Sequence, residues 1–479
     1  DYEFEPKPLG HGSFGVVRQG VHRATGVCRA LKMVSTEMAS LGDLRREASI
    51  MKTLDHPNIV RLHETYEHTG SVTFVMDLCR GGELLDRVIS SGYFSERQAA
   101  LVMQQIIRAV SHMHQKDIVH RDLKPENFLL SSPLPIEQNV LKVVDFGTAR
   151  RCPPGVMLKT LVGTHYYVAP QVLYRRYCGK CDLWSCGAIM YTLLCGKPPF
   201  TGKTCQEILS KVRQAKYSLE GAPWWNVSAD AKDLVRMLMH MNPKARFSSQ
   251  QALQHIWLRR QAPHAPAPRL AGSTVDNLRT FHEQDRLKKA ALQIIAGQLS
   301  DEEVGRLREV FLAMDTDGDG VLTMDELRQG LERGDIDDEL RDDLDIAVRG
   351  IDVECSGTIN YTEFLAAALD RGHRLSERDL LSAFHVFDSN GDGHISVEDL
   401  SEVLDNGECA PSSHSILSAA SSDGKDTINF QEFKVMMGVV CTAGRVLLAD
   451  GSEGSGDVCP EDLESVACLH GSKPVAALN

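Results

Sequence analysis

The chain has 479 residues, of which 42% are hydrophobic and 24% charged, and its net charge is −13. This composition is ordinary for a globular protein and excludes a disordered or fibrous chain. The length predicts two to four domains, each able to bury its own core. No run of about 18 apolar residues occurs, so no transmembrane segment is expected. The thirteen cysteines follow no framework spacing, which favours free thiols and a cytoplasmic location.

The net charge is divided unevenly along the chain. Residues 1–300 carry 39 Lys and Arg against 26 Asp and Glu, whereas residues 301–440 carry 11 against 33. The two parts should therefore attract each other in a salt-dependent manner. A second explanation of the acidic excess is that many of these acids bind metal ions. We expect no nucleic-acid partner.

The first motif is a glycine-rich stretch near the start of the chain. Gly10, Gly12 and Gly15 lie between valine-rich segments, and glycine lets backbone amides approach phosphates closely. Alone, such a pattern often marks only a tight hairpin. Here Lys32 follows on the predicted third strand and Glu47 on a predicted helix, and a strand lysine oriented by a carboxylate can hold phosphates. Leu9, Val17 and Ala30 are the predicted flanking residues of the nucleotide site.

The most specific signals are His120-Arg-Asp-Leu-Lys-Pro-Glu-Asn127 and Val144-Asp-Phe-Gly147. With these motifs the chain resembles the eukaryotic protein kinases, whose signature set they match. Phosphoryl transfer from ATP depends on positioning and charge neutralisation. The resemblance implies roles for four residues: Asp122 orients the substrate hydroxyl, Lys124 contacts the transferred phosphate, and Asn127 and Asp145 hold Mg²⁺.

Residues 74–79 resemble the kinase hinge, which contacts adenine. Met76 should narrow the adenine pocket, while Asp77 and Cys79 should offer backbone hydrogen bonds. These three residues complete the predicted ATP site.

Two acids match family positions that bind basic residues of the substrate. They are Glu83 and Glu126, for which the alternative is that they are merely exposed acids. We expect protein substrates with an arginine at the third position before Ser or Thr. Thr164 is a further predicted substrate-binding residue, and Thr160 lies where related kinases are phosphorylated.

One position departs from the family pattern. Gln171 stands where a glutamate usually pairs with a buried arginine, here Arg246. Glutamine can bond a guanidinium through its carbonyl oxygen but carries no charge, and a broken buried pair often costs about 3–5 kcal/mol. We therefore expect an active enzyme whose large lobe is less stable than that of relatives with glutamate at this position.

Residues 277–299 have apolar residues at helical spacing, interleaved with basic ones. This pattern predicts a basic amphipathic helix. A plain linker helix is the alternative. The predicted regulatory residues of this junction are Leu287, Lys288 and Lys289.

An internal repeat of 33 to 37 residues follows, with loops that begin at positions 315, 352, 388 and 421. Each repeat should be a helix–loop–helix. The first three loops match the Ca²⁺ pattern of alternating ligands around a turn glycine. The third ends in an aspartate, whose shorter side chain should weaken binding. The predicted ligands are Asp315, Asp317, Asp319, Val321 and Glu326; then Asp352, Glu354, Ser356, Thr358 and Glu363; then Asp388, Asn390, Asp392, His394 and Asp399.

The fourth loop should not bind calcium. It has Ser421 at the first position, Lys425 among the ligands and Asp426 in place of the glycine. Its apolar residue Ile428 is retained, so we expect this loop to pair with the third.

A kinase followed by a junction and EF-hands resembles the calcium-dependent protein kinases of plants and protists, over residues 1–440. The resemblance implies a serine/threonine kinase whose junction is relocated by its own EF-hands. The expected fold is multidomain α+β, with a bilobal protein-kinase fold followed by an all-α calmodulin-like module. The predicted domains are the kinase (1–259), junction (260–300), EF-hand pairs (301–369 and 370–440) and a flexible acidic tail (441–479). We expect a cytoplasmic monomer, for which association with membranes through an N-terminal leader outside this chain stays an open alternative.

Three alternatives stay open at this point. A pseudokinase acting as a calcium-controlled scaffold would explain Gln171, although Lys32, Asp122, Asn127 and Asp145 are all present. A kinase that recruits separate calmodulin would need an added protein for activation. If the chain belongs to this family, two roles of the junction in the resting state are possible: it blocks the active site, or it fails to stabilise the active conformation of the kinase.

Overall fold

The computed structural model describes residues 1–12, 15–262, 277–278, 281, 284, 286–332, 350–352, 356–369, 375–404, 427–442 and 445–448. The chain forms two compact units. One contains Asp1–Asp285 and Lys289–Ser382, and the other contains Arg286–Lys288 and Ala383–Asn479.

The first unit begins with a five-stranded antiparallel sheet. Its strands are β1 (Tyr2–Gly12), β2 (Gly15–His22), β3 (Cys28–Ser35), β4 (Leu62–His68) and β5 (Ser71–Met76), in the order β1-β2-β3-β5-β4. Helix α1 (Leu41–Lys52) starts where the Ser40 hydroxyl accepts the Asp43 N–H. Leu44 and Met51 of this helix are buried in the core. The sheet therefore carries Lys32 on a central strand and α1 carries Glu47, as the sequence predicted.

A helical lobe follows. Its helices are α2 (Leu84–Ser91), α3 (Glu96–Gln115), α4 (Pro170–Leu173), α5 (Lys180–Cys195), α6 (Cys205–Arg213), α7 (Ala229–Leu238), α8 (Ser249–Leu253) and α9 (Ile256–Gln261). Helix α3 begins with a capping box between Ser95 and Gln98, which satisfies two otherwise unpaired N–H groups. Helix α5 is buried on all faces, so it forms the centre of this lobe.

Short strands between α3 and α4 frame the loops that contain the predicted catalytic and Mg²⁺-binding residues 122, 124, 127 and 145. These strands are β6 (Ile118–Val119), β7 (Phe128–Leu130), β8 (Leu141–Val143) and β9 (Arg150–Arg151), in the antiparallel pairs β6–β9 and β7–β8. Three 3-10 turns complete the lobe, at Pro125–Asn127, Ile136–Gln138 and Ala222–Trp224. One continuous apolar cluster runs from Val34 through Phe146 to Trp257. The expected bilobal kinase fold is confirmed.

The first EF-hand pair also belongs to this unit. It contains helices Gly305–Met314, Met324–Glu332 and Tyr361–Ala368, and its loops pair through strands Val321–Leu322 and Ile359–Asn360. A junction helix, Arg286–Gln298, precedes it. Gln284 is a bend, so residues 277–299 are not one continuous helix, contrary to the prediction.

The second EF-hand pair begins in helix Glu377–Phe387 and continues with helices Val397–Leu404 and Phe430–Met436. Strands His394–Ser396 and Thr427–Asn429 pair, which places Ile395 opposite Ile428 as expected. Strands Val439–Thr442 and Arg445–Leu448 form a hairpin, although residues from 441 onward were predicted to be a flexible tail. Val439, Val440, Thr442 and Val446 are residue types that favour strand formation. No helix within the described ranges has the length and apolarity needed to cross a membrane.

Candidate active site

Lys32, Glu47 and Asp145 meet between the two lobes. Lys32 Nζ lies 2.9 Å from Glu47 Oε1 and 3.1 Å from Asp145 Oδ1. Lys32 is 6% exposed, and this burial lowers its pKa, but the two carboxylates outweigh burial and raise the pKa overall. The lysine is therefore a fixed cation at the position predicted to hold phosphates.

The predicted catalytic residues also come together. Asp122 Oδ2 is 3.0 Å from Lys124 Nζ, and Asp122 Oδ1 accepts a 2.8 Å hydrogen bond from Thr164 Oγ1. Asn127 Nδ2 donates to the Asp122 carbonyl oxygen over 2.9 Å, which holds the loop closed. The carboxylate of Asp122 is thus oriented by a cation and a hydroxyl, as a group that accepts or orients a substrate proton requires.

Asp182 was not among the predicted site residues. Its fully buried carboxylate accepts the backbone N–H groups of His120 and Arg121, both over 2.9 Å. Arg121 has φ 74° and Asp145 φ 63°, which is a strained region for residues other than glycine. Asp182 therefore holds the catalytic loop in a conformation that the loop would not adopt alone. The signal in the sequence that could have revealed this role is a lone acidic residue within the largely apolar segment Lys180–Cys195.

The nucleotide side has the predicted order of strands. Gly10 pairs with Val17 and Gly12 with Gly15, while Ala30 pairs with Met76. Leu9 is 52% exposed at the mouth of the site. A Cβ on Gly15 would lie 2.0 Å from the Met33 carbonyl oxygen, so only glycine fits this close strand contact.

One backbone donor of the predicted hinge is used within the kinase, which leaves the backbone carbonyl oxygen of Asp77 as its possible contact to a nucleotide. The backbone N–H of Asp77 donates to the Arg61 carbonyl oxygen over 3.2 Å and is therefore not available to a nucleotide. The backbone N–H of Cys79 has no intramolecular acceptor in the part of the chain that the structure describes, which leaves it for a ligand. Burial raises the pKa of the Cys79 thiol to about 12.

Glu83 and Glu126 lie close enough to interact electrostatically. Burial raises the pKa of Glu83, and the charges of Asp86 and Glu126 raise it further. Glu126 Oε2 is buried and has no hydrogen-bond partner among the described residues. Two neighbouring acids, one of them with an unpaired oxygen, form a site suited to a cationic side chain.

The activation segment is held without a phosphate group. Arg121 Nε donates to the Thr148 carbonyl oxygen over 2.6 Å, and Arg121 Nη1 to the Tyr177 hydroxyl over 3.1 Å. That hydroxyl donates to the carbonyl oxygen of Thr160 over 2.7 Å. Thr160 itself is exposed, whereas Arg121 is buried and already occupied by these partners.

Gln171 takes the place of the usual carboxylate beside Arg246. Its Oε1 accepts a 2.9 Å hydrogen bond from Arg246 Nη2, and its Nε2 donates to the Met241 carbonyl oxygen. Arg246 is 1% exposed and stacks over Trp184 at 5.1 Å. Burial lowers the pKa of Arg246 to about 10.

The first calcium loop is preformed. Ligand oxygens of Asp315, Asp317 and Glu326 lie within 4.8 Å of one another, a geometry that fits Ca²⁺. Asp315 accepts the N–H groups of Asp319 and Gly320, which turns the chain sharply at Gly320, φ 83°. Val321 continues into the strand that joins the two loops.

Loops two and three repeat this backbone pattern. Asp352 accepts the N–H groups of Ser356 and Gly357, and Asp388 accepts those of Asp392 and Gly393. The other predicted ligands make local hydrogen bonds between a backbone N–H and a side-chain oxygen. The donors are the N–H groups of Thr358, Asp392, His394, Asn360 and Ser396, and the respective acceptors are the side chains of Ser356, Asn390, Asp392, Glu363 and Asp399. Glu354 and the fourth-loop residues Ser421, Lys425 and Asp426 lie outside the described residues.

The apolar residues of the junction are buried in the first EF-hand pair. Leu278, Phe281 and Ala296 belong to one cluster with Phe311 and Phe364. Leu292 and Leu299 pack against this cluster. Of the predicted regulatory residues, Leu287 is buried, Lys288 is half-buried, and Lys289 Nζ donates to the Gly350 carbonyl oxygen over 3.1 Å.

Comparison with known proteins agrees with this architecture. The protein kinase domain model matches residues 3–258, and the EF-hand domain pair model matches residues 305–369 and 377–438. Calcium-dependent protein kinase 5 of Plasmodium falciparum is 38% identical, covering 91% of this chain and 78% of that protein.

Relatives occur in a second lineage as well. Calcium-dependent protein kinase 34 of Arabidopsis thaliana is 39% identical, covering 90% of this chain and 82% of that protein. A further Plasmodium relative, calcium-dependent protein kinase 3 of Plasmodium berghei, is 40% identical, covering 85% of this chain and 73% of that protein. Nothing in these findings favours a pseudokinase. The chain therefore belongs to the calcium-dependent protein kinases, and it is a calcium-activated serine/threonine protein kinase.

Proposed function

We propose that this chain uses the predicted residues to transfer the γ-phosphate of ATP to Ser or Thr of protein substrates. Lys32, held by Glu47, binds the phosphates, and Asp122 orients the substrate hydroxyl. Asn127 and Asp145 would hold Mg²⁺, which neutralises phosphate charge when bound. Glu83 and Glu126 would bind an upstream arginine. The occupied Arg121 supports activity without phosphorylation of Thr160.

The calcium switch is proposed to act through the junction. The observation that carries this proposal is the burial of Leu278, Phe281 and Ala296 in the core of the first EF-hand pair. Because the junction contributes residues to the core of the sensor, the sensor controls where the junction can lie. Ca²⁺ binding to the first three loops would stabilise this arrangement.

Several ions should act together in the switch. Moving an equilibrium from about 1:99 to 99:1 takes about 5.5 kcal/mol of differential binding. Shared among three loops, this is about 1.8 kcal/mol each, or roughly a 20-fold preference for the active state, whereas one loop alone would need about 10⁴-fold. Cooperative activation is therefore expected.

Contacts between the kinase and the first EF-hand pair favour a supporting role over a blocking one. Arg108 donates to the Leu312 carbonyl oxygen over 3.3 Å, and His112 Nδ1 lies 3.0 Å from the Asp319 carbonyl oxygen. The Thr362 N–H donates to Asp55 over 2.8 Å. None of these kinase residues belongs to the catalytic group described above.

The test is peptide phosphorylation with calcium and with a chelator, on the full chain and on a chain ending at Arg260. The kinase lobes have their own core, so the shorter chain should fold. A supporting role predicts that it is nearly inactive in either condition. Full, calcium-independent activity of the shorter chain would instead show that the junction blocks the site.

The proposals for localisation, oligomeric state, partners and domain boundaries rest on the sequence alone. We propose a cytoplasmic monomer without nucleic-acid partners. We also propose the domain boundaries at 259, 300, 369 and 440.

A further inference from the structure

The hinge carboxylate of Asp77 is held by three donors. Its Oδ2 lies 3.0 Å from Lys142 Nζ and accepts the Arg61 N–H over 3.2 Å, and its Oδ1 lies 2.8 Å from His63 Nε2. Burial opposes ionisation of this carboxyl, but Lys142 and His63 hold its pKa well below the usual range. The position of Asp77, two residues before the free N–H of Cys79, is thus set by its side chain.

Lys142 has a second partner that does not belong to the kinase. Its Nζ lies 3.3 Å from Asp301 Oδ2, in the turn between the junction helix and the first EF-hand helix. Arg308 of that helix donates to the Asp301 carbonyl oxygen over 3.2 Å, and so fixes the turn. One ammonium therefore joins the ATP hinge to the start of the EF-hand pair.

Lys142 also belongs to the strand that leads into the catalytic site. It lies on β8, three residues before Asp145, and is 8% exposed. Burial lowers the pKa of Lys142, but Asp77 and Asp301 outweigh it and raise the pKa. A buried cation shared by two carboxylates loses much of its compensation when one carboxylate is removed. Departure of Asp301 should therefore change the environment of Asp77.

The bridge lies beside a cavity of about 960 Å³ between the kinase and the first EF-hand pair. The cavity is lined by Arg29, Arg80, Glu302 and Tyr361 among others. The Tyr361 hydroxyl is buried and has no hydrogen-bond partner in the described part of the chain. The surroundings are thus incompletely packed, and the ion bridge is one of the direct links between the hinge and the sensor on this side.

We propose that Lys142 is a positioning residue, which couples docking of the first EF-hand pair to nucleotide affinity through the bridge Asp77–Lys142–Asp301. This inference rests on the proposed calcium switch. Coupling between two binding events is reciprocal, so docking that strengthens ATP binding must itself be strengthened by ATP. The residue acts through the hinge backbone and touches neither substrate nor the reacting phosphate.

The test is a double-mutant cycle of Asp301→Asn and Lys142→Met in the full chain at saturating calcium. Asp301→Asn should raise the KM for ATP about 3- to 10-fold while kcat changes less than about twofold, since only hinge binding is weakened. In the Lys142→Met background, Asp301→Asn should have no further effect on KM. Asp301→Glu should restore most of the affinity.

Glu302→Gln is the matched control, because it removes an exposed acid from the adjacent position. An equal KM for ATP in the Asp301→Asn and Glu302→Gln variants would overturn the inference. It would also be overturned if Asp301→Asn raised the KM for ATP by the same factor with and without Lys142→Met. If the Lys142→Met chain does not fold, the KM values for ATP of the wild-type, Asp301→Asn and Asp301→Glu chains are sufficient to test the inference. Failure of the wild-type chain to respond to calcium would refute the proposed switch instead, and this is measured separately.

Discussion

Replacing Gln171 by glutamate should stabilise the large lobe. Arg246 is almost fully buried, and its three hydrogen bonds within the described residues go to uncharged oxygens: Gln171 Oε1 at 2.9 Å, the Lys180 carbonyl at 2.6 Å and the His240 carbonyl at 3.0 Å. A carboxylate at position 171 would place the missing negative charge on the guanidinium.

The size of the effect follows from the pKa of Arg246. Burial lowers this pKa from 12.5 to about 10, and each pKa unit corresponds to about 1.4 kcal/mol, so the site disfavours the charged form by about 3 kcal/mol. Glutamate also removes the 2.6 Å hydrogen bond from Gln171 Nε2 to the Met241 carbonyl oxygen, a loss of about 1 kcal/mol. A net gain of about 1–2 kcal/mol remains, or roughly 2–6 °C in melting temperature.

Thermal unfolding of the Gln171→Glu chain against wild type measures this gain. Gln254→Glu is the control, because it adds the same charge at an exposed position of the same lobe. A glutamate paired with arginine has a lowered pKa when folded, so the gain should be present above the usual glutamate pKa of about 4.3 and lost as the pH falls below it. Equal melting temperatures of Gln171→Glu and wild type would refute the reasoning.

Three further outcomes are expected. Glu326→Gln combined with Glu363→Gln should nearly abolish calcium activation, because each change removes the last calcium ligand of a loop. ATP should still bind, with no more than the roughly 3- to 10-fold loss of affinity expected when the first EF-hand pair does not dock; unaltered calcium dependence in a kinase assay would contradict the switch. Glu126→Gln should lower kcat/KM about 10-fold for peptides with an upstream arginine but not for their alanine analogues, and a positional peptide library without basic selection would count against this site. The Cys79 thiol should resist iodoacetamide at neutral pH while the exposed Cys205 reacts, since burial raises the pKa of Cys79 to about 12; mass spectrometry showing rapid Cys79 labelling would exclude a buried thiol.

Local patterns in the sequence determined the family, the bilobal fold and the calcium loops. Motifs such as residues 120–127 and the ligand spacing after Asp315 act over short distances, so a single chain reveals them without coordinates. The pairing of Ile395 with Ile428 was likewise predictable, because paired EF-hand loops place their apolar positions opposite each other.

Only the tertiary structure decided what distant residues do to one another. Asp182 supports the catalytic loop from about sixty positions away, and Asp301 reaches Lys142 across an even longer separation in sequence. The prediction that Asp77 contacts adenine through its backbone stays untested, but only the structure shows that its N–H is used within the kinase and that its carboxylate pairs with Lys142. Hydrogen bonds and ion pairs between distant residues depend on which surfaces pack together, and no spacing rule in the sequence specifies that.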